Sequence, residues 1–382
     1  MHIPEGFLFS AIACGIRKRD KLDLGLILCQ NKGVASGVFT RNSVKAAPVI
    51  IGKKHLRSSV TRAILVNSGV ANACTGEDGL HRALKLIEET AKLLKISPEE
   101  LLPASTGVIG EPLPVETIIP KLPILIETLS TNNYSLFAQA IMTTDTFPKI
   151  VSKTTKDGIA LLGIAKGAGM IAPNMATMLA FILTDASIQK EDLRSLLVRG
   201  VENSFNRITV DGETSTNDTV YALASGKKQV DDWDDFADSF QRTLRELAYL
   251  IVKDGEGASK VIRIVVKGAK TKEEAKILAR AVAESPLVKT AFYGEDPNWG
   301  RIFASLGKTG IALDPSEVEL YLNKVPWIQN LKPQGAEKTF KEELAKSEIE
   351  LLINLKKGKQ SYEIFTCDLT EEYIRINASY RS

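Results

Sequence analysis

The stretch Lys166–Ala186, KGAGMIAPNMATMLAFILTDA, decides how the rest of the chain is read. It holds a lysine, then Gly167 and Gly169, the pair Pro173-Asn174, and Ala176-Thr177 at the head of an apolar run. Upstream, Asp157-Gly158 separates Ile150–Lys153 from Ile159–Ala165, which is a hairpin turn signal between two strands. Downstream, Thr177–Leu183 is apolar and short, as suits a buried strand better than a helix. The prediction is strand, glycine loop, buried strand, with a hydroxyl residue on the first position of the second strand.

The loop supports more than one chemistry. Gly167-x-Gly169-x-x-Ala172 after a strand resembles the dinucleotide fingerprint, with Asp185 near the ribose-binding offset. That fingerprint needs a helix opening inside the loop, so that free N–H groups meet a pyrophosphate. Pro173 lies too deep for a first helical turn and would remove a hydrogen bond there. On spacing alone, a surface loop joining two core strands, with Thr177 an ordinary strand threonine, is the simpler reading.

Working outward, Leu24–Gln30, Val34–Thr40, Val49–Ile51 and Ala63–Asn67 read as strands, the last ending in the turn signal Asn67-Ser68-Gly69. Leu80–Leu94 has apolar residues at helical spacing. Ser97-Pro98-Glu99-Glu100 carries a capping box and predicts another helix, followed by a tight loop at Ser105-Thr106-Gly107. Ser135–Met142 reads as a short amphipathic helix, and Ser187 as the cap of a helix reaching about Asn206. Two strands are expected around Asp211-Gly212, then a helix from Asp232 to Lys253 with a glycine stop. Val261–Val266 reads as a strand, and Thr271-x-x-Glu274 opens a capped helix. Strands at Glu317–Leu322, Glu348–Leu355 and Tyr362–Cys367 around a helix near Ala336–Lys346 suggest a smaller C-terminal lobe, at about 286–382.

Composition narrows the classes. With 44% hydrophobic and 25% charged residues over 382 positions, the chain has the makeup of a globular protein with a sizeable core. Lys+Arg 49 against Asp+Glu 46 leaves a formal charge of +3. Arg17–Lys21 is the densest basic run and reads as a solvated face, so no nucleic-acid partner is expected. Phe7–Ile16 is apolar, but its basic residues follow the apolar core rather than precede it, which argues against an export signal. No apolar run approaches the roughly 20 residues of a membrane span. Cys14, Cys29, Cys74 and Cys367 form no CxxC pair, as fits reduced thiols in a cytoplasm.

Only His2, His55 and His81 are available as histidine bases or ligands, with no HExxH pattern and no serine elbow. Metal ligation and a Ser-His-Asp triad are therefore poorly supplied, and no metal or cofactor is expected. A hydroxyl nucleophile would need another base. A threonine can use its own α-amine once it becomes the first residue of a chain.

The segment KGAGMIAPNMATML resembles the self-cleavage segment of the ornithine acetyltransferase (glutamate N-acetyltransferase, ArgJ) family. The resemblance continues in GVFTRNSVKAAPV at 37–49, NSGVANACTG at 67–76, STGVIGEPLP at 105–114 and IMTTDTFPK at 141–149. It runs on through FNRITVDGETSTNDT at 205–219, KDGEGASK at 253–260, DPNWGRI at 296–302 and YIRINASYRS at 373–382. Several long motifs in one order make the similarity specific across nearly the whole chain.

The resemblance implies an α/β fold of mixed sheets layered with helices, of the self-cleaving N-terminal-nucleophile type, with the smaller C-terminal lobe. It implies cleavage between Ala176 and Thr177 into an α chain of 1–176 and a β chain of 177–382, assembled as a heterotetramer. Thr177 would be the nucleophile, and Thr106 and Gly107 the oxyanion hole, for which one donor is worth roughly 3 kcal/mol of barrier. Thr143, Lys166, Thr177, Glu256, Asn377 and Ser382 fall on the family's substrate-binding positions. The implied reaction moves acetyl from N2-acetylornithine to L-glutamate through an acyl-threonine, and some members also accept acetyl-CoA. An N-terminal-nucleophile aminopeptidase or amidohydrolase of similar fold is the alternative. The chain departs from the common pattern at Val70, Ala172, Glu213 and Ser382, none of them at the nucleophile or oxyanion positions.

Overall fold

The computed structural model describes residues 1–17, 21–172 and 178–379. The chain forms two compact units, Met1–Asn206 with Glu213–Ile251, and Arg207–Gly212 with the residues from Val252 onward.

The first unit is built on an eight-stranded mixed sheet. Its strands are β1 (Phe7–Ile12), β2 (Leu24–Phe39), β3 (Thr61–Val70), β4 (Leu101–Val108), β5 (Lys149–Thr154), β6 (Ala160–Lys166), β7 (Leu179–Ser187) and β8 (Thr219–Gln229). The order is β4-β3-β2-β8-β7-β6-β5, with β1 beside β2. The β3–β4 and β7–β8 pairs are parallel and the others antiparallel.

The hairpin expected around Asp157-Gly158 is β5–β6, with Gly158 at φ +82°, where glycine is favoured. The apolar run after Thr177 is β7, buried from Leu179 through Ala186 as the sequence implies. Leu24–Gln30 and Val34–Thr40, expected as two strands, form one. Its first part pairs with β1 and β3 and its second with β8, across a register shift between Leu28 and Gly33.

Four local expectations are corrected. Val49–Ile51 lies in a helix, Ala47–His55, where Pro48 occupies the first turn and its missing donor costs nothing. Ser97-Pro98-Glu99-Glu100 does form a capping box, but it closes only one 3-10 turn. The next six residues are all buried, so the chain continues as edge strand β4, with Ser105, Thr106 and Gly107 inside it. Pro103 is tolerated there because an edge strand leaves one row of donors unused. Ser187 ends β7, and the helix Lys190–Glu202 starts after Gln189. Around Asp211-Gly212 there is a turn with an isolated bridge from Ile208 to Phe365 rather than two strands.

The helix Trp233–Lys253 packs against β6 at Gly163, where an added Cβ would sit 2.6 Å from Leu247 Cδ1.

The second unit carries a six-stranded sheet of β9 (Val261–Ala269), β10 (Glu319–Leu322), β11 (Val325–Gln329), β12 (Lys332–Pro333), β13 (Glu348–Asn354) and β14 (Gln360–Cys367). Its order is β12-β11-β10-β13-β9-β14. The sequence placed a lobe near Pro286. The compact unit takes in Arg207–Gly212 and then runs from Val252, well before Pro286, because β9 pairs with both β13 and β14. The capped helix Lys272–Ala283 buries Ala275, Leu278, Ala279 and Val282 in the same core as Ile264 and Tyr362. Among the described residues, no helix is long and apolar enough to cross a membrane.

Candidate active site

One row of paired residues runs across the first sheet: Phe39 on β2, Thr219 on β8, Leu179 on β7 and Lys166 on β6. The residues just beyond that row, Thr40, Asp218, Met178 and Gly167, therefore share one edge of the sheet. Backbone bonds knit them. Thr40 N donates to Asp218 O at 3.0 Å, and Thr219 N to Met178 O at 3.1 Å.

Lys166, 3% exposed, ends β6 at this edge. Its Nζ donates to Thr106 Oγ1 at 3.0 Å and to Thr143 Oγ1 at 2.8 Å. Three of the expected site residues thus meet around one ammonium. A buried cation is tolerable only when its donors are used. Because Thr106 Oγ1 accepts from the lysine, its own proton is free to point at another acceptor, as an oxyanion donor must.

Asp145 holds this group in place. Its carboxylate pairs with Lys149 Nζ at 2.7 Å, both side chains being fully buried. Asp145 also accepts from Gly167 N at 2.6 Å and from Thr143 N at 2.9 Å, the backbone on either side of the lysine contacts. Burial alone would raise the Asp145 carboxyl. The ammonium groups of Lys166 and Lys149 outweigh it and hold the carboxyl down to about 2. Arg17 steadies the same loop from the other side through Met142 O at 2.8 Å and Thr143 O at 3.2 Å.

Gly107 follows Thr106 with φ +132°, and a Cβ there would lie 2.2 Å from the Gly69 carbonyl carbon. The ends of β3 and β4 therefore touch backbone to backbone, which only glycine permits. Asn217 ties that corner to β8, its Nδ2 donating to Ser105 O at 2.8 Å and Ala71 O at 2.6 Å. Ser105 Oγ in turn donates to Asn67 Oδ1 at 2.6 Å.

Within the second unit, Glu256 is buried and Oε2 accepts from Asn377 Nδ2 at 2.7 Å. Asn377 sits on the exposed helix Glu371–Ala378. These two expected substrate-binding residues are thus in contact with each other. Ala176, Thr177 and Ser382 lie outside the described residues.

The dinucleotide reading fails on geometry. No helix opens in the described part of the glycine loop. Asp185 is buried inside β7, accepting from Ala160 N at 2.8 Å and pairing with Lys228 at 3.1 Å. Histidine bases are likewise remote from this chemistry: His55 is buried with its Nδ1 on Leu101 O at 2.8 Å, and His2 and His81 are exposed. Sequence reasoning did not single out Asp145 as the anchor, nor Lys149, Asn217 and Asp218. The signal lay in the polar runs TTDTFPK and STNDT, quoted but not assigned roles.

The fold and this edge define an α/β protein in which a buried lysine gathers two hydroxyls beside a strand that begins two residues after Thr177. That arrangement suits acyl transfer by way of a hydroxyl. The ArgJ family profile matches residues 8–382, and the chain belongs to the ArgJ family. It is 48% identical over 390 residues to the arginine biosynthesis bifunctional protein ArgJ of Desulfotalea psychrophila, covering 99% of each chain. It is 44% identical over 399 residues to the protein of that name from Thermotoga neapolitana, covering 100% of each. A solved structure of arginine biosynthesis bifunctional protein argJ from Bacillus halodurans matches with a TM-score of 0.50 at 37% identity, over 52% of this chain and 98% of that one.

Proposed function

We propose that the chain is a self-processing glutamate N-acetyltransferase of arginine biosynthesis. It cuts itself between Ala176 and Thr177 and then carries acetyl from N2-acetylornithine to L-glutamate on Thr177. The observation that carries this reading is the Lys166 ammonium bound to both Thr106 and Thr143, at the sheet edge where the chain leaving Thr177 enters β7. The lysine supplies a cation for the α-carboxylate both substrates share. Thr106 and the Gly107 amide supply oxyanion donors. Glu256, held by Asn377, supplies an anion for the ornithine ammonium, and Ser382 completes the substrate contacts from the C-terminus.

Cleavage releases the Thr177 α-amine, which takes the hydroxyl proton as acetyl arrives and returns it to the leaving ornithine nitrogen. Glutamate then accepts the acetyl group. No cofactor is required, and acetyl-CoA is proposed as a second donor. The length of the solved Bacillus halodurans chain supports the cut. Of this chain, 52% accounts for 98% of it, whereas the Desulfotalea psychrophila relative aligns along 99% of both. A precursor cut near its middle would be crystallised as pieces of that size. We place the enzyme in the cytoplasm, as two α and two β chains.

Intact-mass analysis with N-terminal sequencing tests the cut, which should expose threonine at position 177. Thr177→Ala should stay one 41.7 kDa chain and transfer no acetyl. Normal transfer by that variant would overturn the nucleophile. Product analysis with and without glutamate separates transfer from the aminopeptidase reading, which predicts free acetate in both.

A further inference from the structure

We propose that Asp218 is the proton carrier for self-cleavage, taking the Thr177 hydroxyl proton and delivering it to the departing backbone nitrogen. This rests on the assignment of Thr177 as nucleophile. The α-amine that serves the mature enzyme is still locked in a peptide bond when the precursor cuts itself, so the first reaction needs a base the second does not.

Asp218 is placed for it. It stands at the head of β8, 2% exposed, and its Oδ1 accepts from Met178 N at 3.0 Å. Met178 is bonded to Thr177, so the carboxyl grips the first amide after the nucleophile. Its Oδ2 is buried with no hydrogen-bond partner among the described residues, and no other buried side-chain polar atom among them lacks one. Native structures keep few such orphans, and one on the carboxyl that holds Met178 N asks for a role.

Other groups at this edge are committed elsewhere. Thr216 Oγ1 donates to Asn217 Oδ1 at 2.6 Å, Thr40 Oγ1 donates to Ser215 O at 2.7 Å, and Lys166 holds Thr106 and Thr143. Asp145 is held down near 2 and makes a poor base. Asp218 is pushed the opposite way. Burial raises its carboxyl well above the usual range, against the pull of the Met178 amide, the Lys166 charge and the neighbouring Thr40 hydroxyl, whose own proton goes to Ser215 O rather than to Oδ2. Two buried aspartates of one site whose environments drive them apart divide structural and proton-transfer work between them.

The step balances. Thr177 Oγ bonds to the Ala176 carbonyl carbon as its proton passes to Asp218 Oδ2. The Ala176–Thr177 C–N bond breaks as Asp218 returns that proton to the nitrogen, leaving an ester that water opens.

The test follows conversion of freshly made precursor into two fragments between about pH 5 and about pH 9, for wild type and Asp218→Asn, with melting curves for both. The asparagine keeps an oxygen for the Met178 amide. It should fold, cut at least about tenfold more slowly, and lose the pH dependence. Wild type should cut faster as pH rises through one ionisation above the ordinary aspartate range. Equal rates and profiles for both proteins would overturn the role of Asp218 while leaving Thr177 standing. A wild-type chain never cut at Ala176-Thr177 would instead overturn the nucleophile assignment, and this one with it. If the variant does not fold, the wild-type profile decides: a cutting rate flat with pH would sink the proposal.

Discussion

At the scale of single residues, the site is organised by charge buried in an unusual place. Lys166 and Lys149 both act on Asp145, so removing the aspartate leaves two buried ammonium groups without their shared counter-charge. Asp145→Asn should cost about 3–5 kcal/mol of stability, read as a fall in melting temperature, because the buried Lys149 loses its carboxylate. The pH dependence follows in sign. The Asp145 carboxyl is held below its unfolded value, so its contribution is fully present above about pH 4 and is lost as pH falls toward its folded value of about 2. An acid titration followed by near-ultraviolet circular dichroism should therefore show a transition in wild type whose stability cost the variant has already incurred at neutral pH. Lys166→Met removes two charge-assisted hydrogen bonds, each worth about 1.5–3 kcal/mol. It should lower kcat/KM for acetyl transfer about 100-fold, and steady-state kinetics with both substrates checks it.

At the scale of elements, strand ends matter more than strand interiors. The corner between β3 and β4 closes only because Gly107 has no Cβ. Gly107→Ala would force a side chain within 2.2 Å of the Gly69 carbonyl carbon at φ +132°. We expect that variant to lose soluble expression or melt well below wild type, while Gly158→Ala, also at positive φ but with open space around it, loses only about 1 kcal/mol. Parallel thermal melts separate the two. In the second unit, Thr271 accepts from Glu274 N at 3.1 Å as the cap of Lys272–Ala283. Thr271→Ala should cost about 1 kcal/mol without touching transfer activity.

At the scale of the whole molecule, the proposed cut falls between β6 and β7, neighbouring strands of one sheet that pair through six residues each. β7 lies between β6 and β8, and β8 pairs with β2, so residues from both sides of the cut interleave in one hydrogen-bonded layer. Cleavage should therefore leave the fragments together. They should co-elute on size exclusion, separate on a denaturing gel, and part in solution only when the sheet itself unfolds. Fragments that separate at neutral pH without denaturant would contradict that arrangement.

Much of this was legible in the sequence, and the legible part is local. The β5–β6 turn, the buried strand after Thr177, the long amphipathic helix 233–253 and the Thr271 cap are each dictated by periodicity, turn chemistry or capping within a few residues. Resemblance of whole motifs points to Thr106, Gly107, Thr143 and Lys166 together, and in the structure Lys166 binds Thr106 and Thr143. What only the tertiary structure decided depends on residues far apart in the chain. The capping box at Ser97 yields to the burial of the run that follows it, so Thr106 lies in a strand rather than a loop. Asp145, Asn217 and Asp218 acquire their roles only from the partners the sheet brings to its edge, because a carboxylate's proton affinity is set by its burial and its neighbours in space, and a linear pattern specifies neither.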